Sequence, residues 1–305
     1  MNYLKRALCF LRLTNYLETS DDYKNPPFST LKNNKPIVRI LGDHSKLHCG
    51  CQAVMETLKE QSQKKNWKIA RCYQKYNILI VNGEGSMHHN SNHFVNKMQI
   101  LQKAVDFGIP AYLVNTVWEE NTNEYDSVLK RLAGISTREI LSQKELENKH
   151  GIQSKYTIDA SFFANIDTKS DFTNYNGQPV KTDFYDPYTS KWTTLSDNFV
   201  NVPYISMTKN SWSSFVLSLK TSKYLITGRH HAVYAACKAR IPFAASESNT
   251  HKISGLIKTA GVNIPIAQSP HELPNIISQI DQLKEEYEKL FNWMDKQVAT
   301  DIIPT

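Results

Sequence analysis

The chain of 305 residues lacks any stretch of about 18 apolar residues, which excludes a bilayer-spanning helix. Glycine and proline are scarce, 11 and 12 residues, and this argues against long linkers. No Lys/Arg run reaches five residues, so no nucleic acid is expected as a partner. The cysteines are Cys9, Cys49, Cys51, Cys72 and Cys237, an odd number without repeat spacing. A disulfide framework is therefore not expected, and a reducing, cytoplasmic compartment is the simpler inference. Three signatures are also missing. Without GxGxxG the chain is no dehydrogenase, without Gly-Lys-Ser/Thr it has no P-loop, and without GxSxG it has no nucleophile elbow.

What is present is ordinary globular composition, 40% hydrophobic and 21% charged, which sets aside disorder, collagen and coiled coil. The net charge of +7 is spread along the chain. It reads as a solvated basic surface, or as attraction to an anionic substrate or membrane face. Residues 1–17 are basic through Lys5, Arg6 and Arg12, and Leu4, Ala7, Leu8 and Leu11 draw one apolar helical stripe. The apolar run is too short for a signal peptide. Either the helix packs on its own domain or it lies in the plane of the inner membrane face.

Residues 21–35 are polar with two prolines and read as a linker. From there strands and helices alternate. Strands are expected at 36–41, 67–72, 76–81, 109–114, 134–137 and 155–158, with helices at 51–61, 93–107, 125–132 and 138–149 between them. Residues 76–81 are nearly all apolar, as in a parallel sheet buried on both faces. The stretch 163–201 reads least clearly, with the domain junction placed near Asp167. Strands are expected at 180–185 and 202–206. The alternation then resumes with helices at 212–219, 231–239 and 251–260 and strands at 223–227 and 241–245. A single long helix over 274–298 carries the stripe Ile276, Ile280, Leu283, Tyr287, Leu290 and Met294. The expected architecture is α/β, with two Rossmann-like parallel-sheet domains facing a cleft. An N-terminal helix and linker take 1–35, the two sheet domains take 36–166 and 167–272, and a C-terminal helix and tail take 273–305.

In open parallel sheets ligands sit beyond the carboxyl ends of the strands. Eight of the ten histidines fall in or just after those loops: His44, His48, His88, His89, His93, His230, His231 and His251. Each is a surface or packing residue, or one that binds an anion, moves a proton or ligates a metal. Asn82-Gly83-Glu84-Gly85 lets backbone approach a ligand closely. Ser248, Asn249 and Thr250 sit where a helix begins. They cap it, or their amides hold a phosphate with Lys252 adding charge. Arg229 beside His230 and His231 offers a planar fork for carboxylate or phosphate. His44, His48, Cys49 and Cys51 have metal-ligand types, but Cys-x-Cys is no standard structural zinc spacing. No metal and no cofactor is expected.

These residues carry a resemblance. Residues 78–86, with the strand and Asn82-Gly83-Glu84-Gly85-Ser86, resemble the strand–glycine loop of the polysaccharide pyruvyl transferase family. Ser136-Thr137-Arg138 is similar to its serine-x-arginine segment, and Arg229-His230-His231-Ala232 to its arginine-x-histidine-alanine signature. Of the family's first loop only Gly42-Asp43 is kept. The resemblance covers roughly residues 36–262. It implies a glycosyltransferase-B-like fold and work on bacterial surface polysaccharide, such as capsule or lipopolysaccharide. It further implies that pyruvate passes from phosphoenolpyruvate to a sugar hydroxyl as a ketal. In that reading Arg229 pairs with the donor, Arg138 adds a second cation, and His231 donates a proton to the donor methylene or the leaving phosphate. Gly42, Asp43, Ser86 and His89 are expected around the substrates, and a glycan or lipid-linked glycan is the acceptor. Two alternatives stand beside it. One is glycosyl transfer from a nucleotide sugar of the CMP-sialic-acid type, with Ser248, Asn249 and Thr250 on the phosphate and Glu84 or His88 as base. The other is a non-catalytic component of a polysaccharide assembly complex.

Overall fold

The computed structural model describes residues 18, 20–30, 35–186, 191–193 and 199–304. The expected helix within 1–17 lies outside the described residues. The segment expected as a linker is in part a packed element. Helix α1 (Ser20–Lys24) buries Asp22 against Arg39 at 2.7 Å, and Phe28 bridges to Tyr76.

Strands β1 (Ile37–Leu41), β2 (Lys68–Ile69), β3 (Ile78–Glu84), β4 (Ala111–Thr116), β5 (Gly134–Thr137) and β6 (Lys155–Tyr156) form one parallel sheet in the order β2-β1-β3-β4-β5-β6. Every residue of β1, β3 and β4 is buried. Alternation splits the apolar runs between two layers. Leu79 and Val81 face Phe94, Met98 and Leu101 of α3 (Asn92–Phe107). Ile78 and Ile80 face Val54, Met55 and Leu58 of α2 (Cys49–Lys64). Beyond β4 come the short α4 (Asp126–Leu129) and then α5 (Ile140–His150). Helix α5 starts later than its periodicity suggests, because Glu139 turns its carboxylate onto the Leu141 and Ser142 amides as an N-cap. Arg138 is thereby left in the loop.

The second sheet has the order β11-β10-β7, all parallel, from β7 (Val180–Lys181), β10 (Leu225–Thr227) and β11 (Phe243–Ala245). The strand expected over 180–185 divides. Its second half, β8 (Phe184–Asp186), leaves the sheet and pairs antiparallel with β9 (Lys191–Thr193). The strand expected over 202–206 is reduced to one bridge, Lys181 to Tyr204, since Pro203 has a carbonyl to offer but no amide. Helices α6 (Trp212–Lys220), α7 (His230–Ala239) and α8 (Lys252–Ala260) pack in a shared core with Leu225 and Phe243.

The long C-terminal helix is broken into α9 (Leu273–Gln279) and α10 (Lys284–Asp295). Its stripe serves two surfaces. Leu273, Ile276 and Ile280 pack with Phe184, Ile226 and Ala244, whereas Tyr287, Leu290 and Met294 join the core of α7 and α8. The tail then returns to the first sheet, where Ile302 and Ile303 enter the layer of α2 and Ser136 Oγ donates to the Ile302 carbonyl at 2.6 Å. No disulfide framework was expected; Cys72 is disulfide-bonded, while Cys49, Cys51 and Cys237 are free and buried. Among the described residues, no helix is long and apolar enough to cross a membrane.

Candidate active site

Between the two sheets lies a cavity of about 540 Å³. The half of the chain around the first sheet lines it with His44, Leu47, His48, Cys51, Glu84, Gly85, Ser86, His93 and Arg138; the second sheet's side lines it with Arg229, His230, His231, Asn249 and Lys252, and the β8–β9 ribbon adds Trp192. Apart from Trp192 in β9, these residues come from the carboxyl strand ends and from the loops and helix starts beyond them, where a doubly wound fold places ligands.

Asp159, which no sequence pattern singled out, sits behind the cavity, fully buried. Its Oδ2 accepts from Arg138 Nη1 at 2.6 Å and lies 3.4 and 3.5 Å from the Nε2 atoms of His230 and His231. Burial opposes its charge, but His231, His230 and Arg138 outweigh burial and hold the carboxyl well below its ordinary range. Burial and the nearby Arg138 drive His230 the other way, well below the usual imidazole value, so it is neutral. Gly50 lets α2 reach this point: a Cβ there would lie 2.4 Å from the Cβ of His231.

Gly85 faces two cations. A Cβ built on it would stand 3.2 Å from Arg138 Nη2 and 3.4 Å from Lys252 Nζ. Among the described residues, the buried Arg138 Nε has no hydrogen-bond partner. Lys252 donates to Asn249 Oδ1 at 2.6 Å, and burial, with Arg138 adding repulsion, pushes its pKa down to about 7. An anion in the space that glycine leaves open meets both.

Arg229 departs from expectation. Asp183, just past β7, takes its Nε at 2.5 Å and its Nη2, so most of the fork is occupied. Its guanidinium stacks 3.9 Å from the centre of the Trp192 ring. Among the described residues, Nη1 has no hydrogen-bond partner.

Other expected residues turn out to support the loops. Asn82 Nδ2 donates to the Gly42 carbonyl at 3.0 Å and to Glu84 Oε1 at 3.1 Å. Position 42 needs glycine because its φ is +81° and a side chain there would strike the Asn82 carbonyl, and Gly83 is packed on Thr116. Asp43 Oδ1 accepts from the Ser45 amide and lies outside the cavity lining. Ser86 lines the cavity, but its hydroxyl is committed to the Gly83 carbonyl at 2.8 Å. The buried Lys97, also missed, donates to the carbonyls of Asn82 and Gly83 and to Ser86 Oγ, at 2.7, 3.2 and 2.7 Å. Burial pushes its pKa down to about 8. Glu84, at φ +44°, holds its buried carboxylate 3.4 Å from Cys51 Sγ.

His88 and His89 pair with each other at 2.9 Å and lie outside the lining. His88 touches Asn249 at 3.2 Å and is pushed down to about 4 by burial and by His89, whereas His89 sits with Glu120 at 3.1 Å. His251 bridges the two halves instead of lining the cavity, with Nδ1 3.2 Å from Glu119 and Nε2 3.3 Å from Glu139. Burial opposes its charge, yet those carboxylates raise its pKa to about 10. The phosphate cradle expected at the start of α8 is already filled. Glu247 accepts from the Ile253 and Ser254 amides at 3.1 and 2.8 Å, and Glu119 from that of His251 at 3.1 Å. Of Ser248, Asn249 and Thr250 only Asn249 lines the cavity.

Among the described residues, one cluster has metal-ligand chemistry. Ligand atoms of His48, Cys51 and His231 all lie within 4.8 Å of one another. His48 caps α2, with its ring 5.1 Å from that of His231. Burial, reinforced by His231 and Arg229, pushes its pKa down to about 2.

A family model described as polysaccharide pyruvyl transferase matches residues 10–249. No curated relative matches the chain in sequence. Solved structures resemble it in fold. One from Listeria monocytogenes, described as a UDP-N-acetylglucosamine 2-epimerase, superposes with a TM-score of 0.53 at 8% identity, over 87% of this chain and 91% of that one. A functionally uncharacterised protein from Klebsiella pneumoniae gives 0.48 at 14% identity, over 85% and 94%. The spinosyn rhamnosyltransferase complexed with thymidine diphosphate gives 0.42 at 9% identity, over 84% and 78%. The architecture is mixed α/β and glycosyltransferase-B-like.

Proposed function

As the chain belongs to the polysaccharide pyruvyl transferase family, and is thus a polysaccharide-modifying transferase, we propose that it moves pyruvate from phosphoenolpyruvate onto a sugar of a glycan acceptor as a ketal, in the cavity between its sheets. The observation that carries this is the convergence of Arg138 Nη2 and Lys252 Nζ on the open face of Gly85. Two buried cations there suit a compact dianion whose departure as phosphate they stabilise. Arg229 Nη1 is left for the donor carboxylate.

His231, backed by Asp159 as a catalytic imidazole is commonly backed, gives its proton to the donor methylene, which becomes the methyl group. The carbon bonded to the phosphate oxygen gains electrophilic character and is attacked by one sugar hydroxyl. The carbon–oxygen bond to phosphate then breaks, inorganic phosphate leaves, and a second hydroxyl closes the ketal. Of the two hydroxyl protons, one replaces the proton that His231 gave to carbon and the other leaves on the inorganic phosphate. Glu84, on the cavity wall, is placed to accept one of them.

A nucleotide-sugar donor is less well served. The helix amides that would take its phosphates are held by Glu247 and Glu119, whose charge repels it. The test is thermal unfolding of the purified chain with phosphoenolpyruvate or with CMP, followed by phosphate release in the presence of glycan. Stabilisation by phosphoenolpyruvate and acceptor-dependent phosphate release are expected. Stabilisation by CMP alone would overturn the assignment.

A further inference from the structure

We infer that His48, Cys51 and His231 form a binding site for a borderline divalent cation of the zinc class, open to the cavity. Their ligand atoms lie within 4.8 Å of one another, and His48 Nε2 stands 3.5 Å from Cys51 Sγ. Glu84 Oε2 stands 3.4 Å from the same sulfur. In a tetrahedral zinc site, with bonds of about 2.3 Å to sulfur and about 2.1 Å to nitrogen or oxygen, neighbouring ligands are separated by about 3.6 Å. The His48–Cys51 separation therefore matches an edge of such a tetrahedron, His231 lies within 4.8 Å of both and has to draw inward, and Glu84 stands beside the sulfur without being one of the three clustered ligands.

The donor set decides the class of ion. One thiol and two imidazoles suit zinc, cobalt or copper, whereas magnesium and calcium want oxygen. A thiolate and the Glu84 carboxylate together cancel a double positive charge. Asp159 Oδ2, 3.5 Å from His231 Nε2, stands where an outer carboxylate orients a metal-bound histidine, leaving Nδ1 as the ligand atom. His48 Nδ1 accepts from the Cys51 amide at a long 3.4 Å. Ligation through Nε2 moves the ring proton to Nδ1 and gives up that contact, and the Cys51 thiol proton passes to solvent. Cys49 has no part in the site, since its side chain is buried in the core of α6 and α7.

Occupancy takes up the lone pair of His231. If His231 is the proton donor, the cation and pyruvyl transfer exclude each other, and zinc inhibits. That consequence rests on the function proposed above; binding itself does not.

The experiment is a titration of the chelator-stripped full chain with cobalt chloride, reading the thiolate-to-cobalt absorption band, then displacement by zinc chloride. One cobalt per chain and a band removed by zinc are expected. Cys51→Ser should lose the band, and His48→Asn should bind at least tenfold more weakly, with thermal unfolding confirming that both variants fold. Absence of the band in the wild type, or its persistence in Cys51→Ser, overturns the site. If such a negative result accompanies normal phosphoenolpyruvate binding, the proposed function stands without it. If zinc binds but leaves transfer unchanged, the site stands and the proton-donor role of His231 falls.

Discussion

Gly85→Ala separates the anion cradle from the fold. Gly85 is not among the residues with positive φ, so alanine is tolerated by the backbone. The added methyl meets Arg138 Nη2 at 3.2 Å and Lys252 Nζ and Cδ at 3.4 and 3.9 Å; the two nearest atoms are ends of long side chains that need yield only a few tenths of an ångström. Stability should stay level or rise by about 0.4–1 kcal/mol, because the unfolded chain loses freedom. Binding should not survive so well, since the methyl occupies the space where a phosphate oxygen would meet both cations. Each hydrogen bond to a charged group is worth about 1.5–3 kcal/mol. Losing two weakens phosphoenolpyruvate binding by about 3–6 kcal/mol, roughly a hundredfold to ten-thousandfold. Isothermal titration gives the affinity, and a urea transition shows that the variant is folded. A folded Gly85→Ala protein that binds the donor within threefold of wild type refutes the placement. Gly50→Ala is the contrasting control: there the methyl would lie 2.4 Å from the Cβ of His231, so the fold itself should suffer.

Three further outcomes are expected. Asp159→Asn leaves Arg138 buried beside a neutral group and should cost about 3–5 kcal/mol in urea unfolding; a loss below about 1 kcal/mol would show that Asp159 is not the hub described. Lys252 carries its charge below about pH 7 and loses it above. Donor affinity should therefore fall as pH rises through that value, and the change should vanish in Lys252→Met, as read by titration at several pH values. Arg229→Lys cannot hold both oxygens of Asp183 or stack as flatly on Trp192. A tenfold to hundredfold drop in kcat/KM is expected, about one charge-assisted hydrogen bond, and wild-type kinetics would remove the role of the fork.

The elements read most easily were those whose own residues impose their environment. The run Ile78-Leu79-Ile80-Val81 has no solvated face in any arrangement, so a buried parallel strand was legible, as was the glycine loop after it. Histidines gathered beyond the strand ends marked the cavity, and Arg138, Lys252, His230 and His231 reached it. Misreadings arose where the partner a group finds in the fold decided the outcome. The Ser248-Asn249-Thr250 segment suggested an anion cradle, but carboxylates from Glu247 and Glu119 fill it. Residues 274–298 keep one helical period throughout, yet two different cores claim the two ends of the stripe.

Local pattern thus determined the alternation of strand and helix and the loops that carry chemistry, because hydrophobic period and glycine placement act over a few residues. Tertiary structure alone decided which charges meet. Asp159 gains its importance from Arg138 and from His230 and His231, 21, 71 and 72 positions away. Cys51 meets His231 only because Gly50 lets two helices touch. Such contacts depend on how the two sheets pack, and no short-range period encodes that geometry.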